Sequence, residues 1–326
     1  MKKKNLLRNL FIAASLFSAV ATANARNKYL FVYFTGNSPQ QEQVSYAISD
    51  DGFNYTPLNN GKPVISSDSI ARTGCVRDPH ILRTKNGEYL MVLTDMRSSL
   101  GWSSNRGIVL LKSRDLIHWQ HHTVHFPEKY AGKNFANVTR VWAPQTIYDK
   151  KAGKYMVYFS LLTNDGTIPY DRVYWAYAND DFSDLEGEPK VLFDFHAPAI
   201  DTDIVQDKKG EYHLFFKTEQ EGAHKGIRQY VFRDLHNPAS WTLLDGFCEQ
   251  TKNNVEGAGV FPLIGGGWCL MYDCYTSGHY QFTKSDDLRT FHWVADTKTK
   301  GAFTPRHGTV IQITPKEYKR LMKHYK

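Results

Sequence analysis

Five short stretches hold the residues able to do chemistry. They read Arg77-Asp78-Pro79, Trp142-Ala143-Pro144, Ile200-Asp201-Thr202-Asp203, Val255-Glu256-Gly257-Ala258-Gly259 and Arg306-His307-Gly308. Three carry a carboxylate (Asp78, Asp201 and Glu256) and two offer Trp142 and His307 instead. Carboxylates crowded together repel one another and raise at least one pKa. Acid–base chemistry uses that cost, because one carboxyl must hold a proton while another stays ionised. The glycines after Glu256 let backbone or ligand come close to it. Taken singly, each residue has a plainer reading. Asp78 before Pro79 and Asp201 beside Asp203 suit turns, Glu256 suits an exposed Gly-rich turn, and His307 suits a core. Only their recurrence in step argues for a site.

The elements that must position these residues repeat with them. Each polar stretch but the last leads to an apolar run, a Gly-containing hairpin and an aromatic strand, as in Gly87 to Leu93, Gly153 to Phe159, Gly210 to Phe216 and Gly267 to Tyr272. A second repeat, an acidic turn with an aromatic shortly after, places Asp51, Asp115, Asp181, Asp234 and Asp287 at steps of 64, 66, 53 and 53 residues. Repeats of blade length with turn signals between strands imply an all-β fold, a five-bladed β-propeller. The last polar stretch has no hairpin partner, whereas Lys28 to Phe34 is a second strand with no first. Pairing the two ends closes the ring and removes its edges. A β-sandwich is the alternative, but it does not explain repeats in step. Helical character is confined to Pro315 to Tyr325, so residues 26–326 read as one propeller domain with a short C-terminal helix. The polar stretches then meet at the mouth of the central channel.

Residues 1–25 read as a signal peptide. Lys2, Lys3, Lys4 and Arg8 precede the apolar run Leu10 to Val20, and Ala23-Asn24-Ala25 has the form of a cleavage site. The run is too short for a membrane span, so the expected product is exported to a periplasm or outside the cell. Removing the leader's four positive charges from the chain's +7 leaves about +3. With no basic run, nucleic acid is not an expected partner. An aromatic content of 14% favours strands and also suits sugar binding, since ring faces stack on the C–H faces of sugars. Of the four cysteines, Cys269 and Cys274 fall five apart on one strand, face opposite sides and should not pair. No cysteine or histidine spacing suggests zinc.

In order and combination, Arg77-Asp78-Pro79, Trp142-Ala143-Pro144, Ile200-Asp201, Val255-Glu256-Gly257 and Arg306-His307-Gly308 resemble glycoside hydrolase family 43 across residues 28–314. The resemblance implies a five-bladed propeller that hydrolyses glycosidic bonds with inversion. It implies Asp78 as general base, Glu256 as general acid, and Asp201 as the carboxylate that orients the acid and raises its pKa. It implies that His307 is the channel histidine that, in several members, sits by a calcium ion with water ligands. No cofactor is implied for the chemistry itself. The expected partner is an oligosaccharide or polysaccharide, with an exo-acting α-L-arabinofuranosidase as the leading activity. A β-D-xylosidase, or a β-galactosidase or galactofuranosidase, is the alternative within the family, and a non-catalytic carbohydrate-binding propeller the alternative outside it. Trp142 is a candidate to stack on sugar. Arg77 and Arg306 are candidates to bond sugar hydroxyls or the carboxylates. Arg97 and Trp102 are expected at an outer rim, and Phe215 and Lys217 deeper in their blade. Invertases also carry an Arg-Asp-Pro triplet, but after an Asn-Asp-Pro motif that is missing here.

Overall fold

The computed structural model describes residues 26–298 and 303–325; the expected signal peptide lies outside them. Five four-stranded antiparallel sheets stand around one axis. The first holds β4 (Val76–Arg83), β5 (Tyr89–Asp95), β6 (Gly107–Ser113) and β7 (Trp119–His125). The second holds β8 (Val138–Asp149), β9 (Lys154–Thr163), β10 (Arg172–Ala178) and β11 (Leu185–Phe193). The third holds β12 (Ala199–Gln206), β13 (Tyr212–Thr218), β14 (Ile227–Phe232) and β15 (Thr242–Leu243). The fourth holds β16 (Glu256–Pro262), β17 (Trp268–Cys274), β18 (His279–Ser285) and β19 (His292–Lys298). The fifth closes the ring, joining β20 (Gly308–Ile313) from the C-terminal end to β1 (Lys28–Tyr33), β2 (Ser45–Ser49) and β3 (Tyr55–Pro57). The closure register runs from Lys28 opposite Ile313 to Tyr33 opposite Gly308, as the unpaired end strands imply.

The strands owe their positions to which faces they bury. Strands β5 and β13 are buried along their whole length, since each lies inside a sheet and between two blades, and their sequences are mainly apolar. The outer strand β7 is largely exposed and carries His121, His122 and Thr123. Between blades the sheets pack face to face. Phe31 of the closing sheet, fully buried, meets Tyr280 of the fourth sheet at 5.7 Å, and also Tyr33, Tyr55 and Phe303.

The acidic turns join the third and fourth strands of their sheets, away from the channel. Asp51, Asp115 and Asp287 each accept backbone N–H groups two and three residues on, and each also bonds the serine two residues before it. Asp234 accepts the His236 N–H. Asp181 breaks the expected pattern. In its turn the capping acceptor is Asn179, whose Oδ1 takes the N–H groups of Ser183 and Asp184, so the repeat is one of acceptor oxygens and not of acids.

Among the described residues there are two α-helices, α1 (Phe126–Lys129) and α2 (Pro315–His324). Thr314 and Glu317 form a capping box at the start of α2, with Pro315 in the first turn. Glu317 also accepts both Arg83 Nη groups and the Tyr89 hydroxyl, which fastens the helix to the first sheet. All four cysteines are buried and free, in keeping with the separation of Cys269 from Cys274. Among the described residues no helix is long and apolar enough to cross a membrane.

The closure is testable. Phe31→Ala leaves a cavity in the seam between the closing and fourth sheets, and should cost about 3–5 kcal/mol of unfolding free energy. Denaturant titration reads this directly. A loss under about 1 kcal/mol would mean that the seam does not carry the closure.

Candidate active site

The first strands β4, β8, β12 and β16 share one local feature. Each slips register near its start, between Arg77 and His80, Trp142 and Gln145, Ile200 and Asp203, and Glu256 and Gly259. Within each bulge one residue takes a left-handed conformation: Asp78 (φ 52°), Ala143 (φ 46°), Asp201 (φ 52°) and Gly257 (φ 66°). This corrects the frame of the repeat. Asp78 and Asp201 are equivalents of Ala143 and Gly257, whereas Glu256 is the equivalent of Arg77, Trp142 and Ile200. Glu256 is therefore one residue out of step with the two aspartates. Non-glycine residues in this region cost free energy and persist where the surroundings over-determine them.

The surroundings do so here. Asp78 Oδ2 accepts the Thr94 hydroxyl at 2.8 Å, and Asp201 Oδ2 accepts the Gly257 N–H at 2.9 Å. His307, buried, places Nδ1 at 3.4 Å from Asp78 Oδ1 and 3.7 Å from Asp201 Oδ1. Gly257 leaves room for that ring, since a Cβ there would stand 2.8 Å from His307 Cγ. The close approach expected beside Glu256 is thus to a histidine from the closing strand.

Charge follows from the geometry. Burial opposes a charge on His307, but Asp201 and Asp78 overcome it and raise the imidazole to about 9. The ring is an imidazolium at neutral pH. Burial would raise Asp78, yet the bond and charge of His307, then the charge of Arg77, hold it below the usual carboxylate range. Burial dominates at Asp201 and lifts it to about 6 against His307, with Glu256 and Asp78 adding to the rise.

Glu256 is held by other partners. Arg306 Nη2 donates to its Oε1 at 2.8 Å and Lys217 Nζ to its Oε2 at 3.1 Å. Arg306 Nε binds buried Asp273, which burial lifts to about 6 although Arg306 pulls the other way. Arg306 therefore serves the carboxylates. Arg77 turns away to Glu42 (3.0 Å) and Asn37 (2.8 Å), and stacks over Phe34 and Trp102. Trp142 packs edge-on to Trp102, with the Arg140 guanidinium over its ring at 4.4 Å. Arg140 in turn binds Asp171 at 2.8 Å. Asp78, Asp201, Glu256, Trp142, Arg306 and His307 line a single cavity of about 580 Å³, and Arg77 and half-exposed Trp102 border it too.

Lys217 corrects the sequence-based expectation that it lies deeper in its blade, for it reaches Glu256 directly. A signal for it exists. Five residues after the aromatic that opens each second strand stand Thr94, Ser160, Lys217, Asp273 and Phe34. Each touches the next blade: Thr94 the Ala143 N–H, Ser160 the Ala199 carbonyl, Lys217 Glu256, Asp273 Arg306, and Phe34 Arg77. The polar members of this second ring mark the ends of otherwise apolar runs.

Residues 24–319 match the family described as "Probable glycosyl hydrolase domain", a group related to glycoside hydrolase family 43. The chain belongs to the family-43 glycoside hydrolases. Over 207 residues, 57% of this chain, it is 30% identical to an α-L-arabinofuranosidase of Bifidobacterium longum subsp. longum. It spans only 19% of that relative's length. In fold it is similar to an endo-1,4-β-xylanase from Bacteroides thetaiotaomicron, with TM-score 0.57 and 13% identity over 86% of this chain and 93% of the other. It is also similar to a thermostable family-43 glycoside hydrolase, with TM-score 0.51 and 18% identity over 71% and 75% of the two chains.

His307 Nδ1, which faces Asp78 and Asp201, is not free to hold a metal ion. The ring nitrogen facing the carboxylates carries a proton and donates charge to them, whereas calcium requires oxygen donors free to coordinate it. The imidazolium already supplies the neutralising charge. A second group, Asp207, Glu211 and His213, has ligand atoms within 4.8 Å of one another. There the Gln229 amide nitrogen donates to the Leu288 carbonyl and lies 3.0 Å from His213 Nδ1. Nδ1 is then an acceptor, so the proton sits on Nε2, the nitrogen facing Glu211 at 3.6 Å. That tautomer opposes coordination.

The imidazolium predicts how the hydrolase responds to pH. A group whose pKa rises on folding stabilises fully below its unfolded value, near 6.5, and loses that contribution as pH rises through about 9. The loss should be on the order of 3 kcal/mol. Melting temperature should fall across this window, and the fall should be smaller in His307→Gln. Equal slopes in both proteins would refute the charge assignment.

Proposed function

We propose that this family-43 hydrolase inverts configuration at a terminal sugar, with Asp78 as general base and Glu256 as general acid, and that its substrate is an α-L-arabinofuranoside. The observation that carries the mechanism is the separate wiring of its carboxylates around one cavity. Asp78 and Asp201 share the His307 imidazolium, whereas Glu256 answers to Lys217 and Arg306. Two carboxyls with different neighbours can hold different protonation states at one pH, as acid and base must.

In this mechanism Asp78, kept ionised by His307, removes a proton from a water molecule. The water oxygen bonds to the anomeric carbon as the bond to the departing oxygen breaks. Glu256 gives its proton to that oxygen. Asp201 does not touch the reacting atoms. It holds the Gly257 N–H, and with it the backbone that aims Glu256.

A cavity of about 580 Å³ walled by Trp102 and Trp142 supports removal of single sugars from a chain end. The arabinofuranoside assignment draws on the curated relative, whose name gives that activity. Export of the enzyme is proposed from the leader at residues 1–25, and the N-terminus of secreted protein should then begin at Arg26.

A panel of p-nitrophenyl glycosides, with α-L-arabinofuranoside, β-D-xyloside, β-D-galactoside and β-D-galactofuranoside, tests the sugar. The arabinofuranoside should give the main signal, and a dominant xyloside or galactoside signal would replace it with an alternative of the same family. Glu256→Gln and Asp78→Asn should each lower turnover of unactivated glycosides by about 10²–10⁴-fold. NMR of the first product formed should show the inverted anomer. Retained configuration, or full activity in either variant, would overturn the mechanism. No hydrolysis of the panel or of intact polysaccharide would leave a binding propeller.

A further inference from the structure

The two oxygens of Glu256 face two different cations, Arg306 at Oε1 and Lys217 at Oε2. A carboxyl that carries a proton has turned one oxygen into a donor. That oxygen keeps a lone pair but accepts more weakly, and the carboxyl no longer carries the charge that holds two cations. One of the two contacts is therefore weakened whenever Glu256 holds a proton.

Arg306 is poorly placed to leave. Its Nε is bound to buried Asp273, its guanidinium lies 5.7 Å from the Phe34 ring, and its backbone N–H donates to the Phe34 carbonyl at 2.8 Å. Lys217 has an alternative close by. Its ammonium already contacts Glu219 Oε1, and the Tyr275 ring lies 4.5 Å from the same nitrogen. Glu219 also accepts Lys225 at 2.9 Å, which fixes it in place. Lysine is a point charge on a flexible stem, so its ammonium can exchange carboxylates by a small rotation. The side chain is only 2% exposed, so the exchange takes place without passing through bulk water.

We propose that Lys217 is a positioning residue that moves its ammonium from Glu256 to Glu219 when Glu256 takes up the catalytic proton, and back when the proton has gone to the departing oxygen. This rests on Glu256 being the general acid. Lys217 keeps all its protons throughout, and the proton lost by Glu256 is replaced from solvent after water has given its own to Asp78. The other charged groups facing the pair are Arg306 and Asp273, Asp201 from β12 with Asp78 and His307 beyond it, Asp171 with its partner Arg140 near Glu219, and Lys225 on the far side of Glu219. Among the described residues only Lys217 bonds both glutamates.

The two ends of this exchange should respond to substitution with opposite signs. The measurement is the alkaline limb of kcat/KM against pH, on the methyl glycoside of the preferred sugar, whose poor leaving group needs the acid. Lys217→Met removes the cation that competes for Glu256, so the limb should move to higher pH by about one unit or more. Glu219→Gln removes the alternative partner and leaves Lys217 on Glu256, so the limb should move to lower pH. Adding Glu219→Gln to Lys217→Met should shift the limb no further, because Glu219 acts only through Lys217. Lys217→Arg keeps the charge and should return the limb towards wild type.

Limbs that move in the same direction, or stay in place while Glu256→Gln remains inactive on the methyl glycoside, would overturn the exchange and spare the mechanism. Activity of Glu256→Gln on that substrate would remove the acid assignment and the exchange with it. Should Lys217→Met fail to fold by thermal melt, Glu219→Gln decides alone: a downward shift supports the exchange and an unmoved limb overturns it.

Discussion

The buried contact of one imidazolium with two carboxylates ties the architecture of this hydrolase to its chemistry. His307 stands immediately before the closing strand β20, which pairs with β1 from the other end of the chain. Its partners Asp78 and Asp201 come from the first and third sheets. Closing the ring therefore brings in the charge that lets two acids sit side by side out of water. Without it, two desolvated carboxylates would face each other unneutralised, and one would be forced to hold a proton. Gly257 belongs to the same interaction, because only a residue without Cβ leaves room for the ring.

Around that centre the five blades support one another in rotation. The residue five places after the opening aromatic of each second strand reaches the first strand of the next blade. Below it His80 Nδ1 accepts the Thr146 N–H, and Asp203 accepts the Val260 N–H. Burial pushes His80 down to about 3 and Asp203 up to about 7, so these bonds are made by a neutral ring and by an acid with little wish to ionise. They satisfy backbone donors of the innermost strands, which have a ladder partner on one side only. The left-handed conformations at Asp78 and Asp201 are held by the adjoining residues of this network.

The fold was legible in the sequence because a propeller repeats, and a repeat exposes both its period and its missing strand. Asp78, Asp201, Glu256 and His307 were legible for the same reason, since each stands where a first strand begins. The errors have one physical source. A bulge adds a residue without altering the apolar pattern after it, so the one-residue offset between Glu256 and the aspartates could not be seen. Lys217 and Asp273 end runs otherwise mainly apolar, and a polar residue there reads as the strand's solvated tip until the next blade is packed against it. Asp171 and Arg140 meet across 31 residues of chain, through a loop geometry that no period encodes. Asn179 was hidden behind a more conspicuous aspartate, because a side-chain amide caps a turn as well as a carboxylate does.

The placement of the cations suits the proposed displacement, in which one mouth serves both base and acid. If all three carboxylates drew on a common positive charge, protonating one would loosen the rest, and acid and base would titrate as a single group. Here the positive charge is divided. His307 serves Asp78 and Asp201 from within the channel, and Arg306 serves Glu256 and Asp273 from the adjoining residue. Two neighbouring residues just before the closing strand thus hold separate sets of acids. A change of charge on Glu256 is met by Arg306 and Lys217, and the imidazolium that keeps Asp78 ionised need not move. That division of direct contacts suits a base and an acid at one cavity, and it follows from where the chain's two ends are joined.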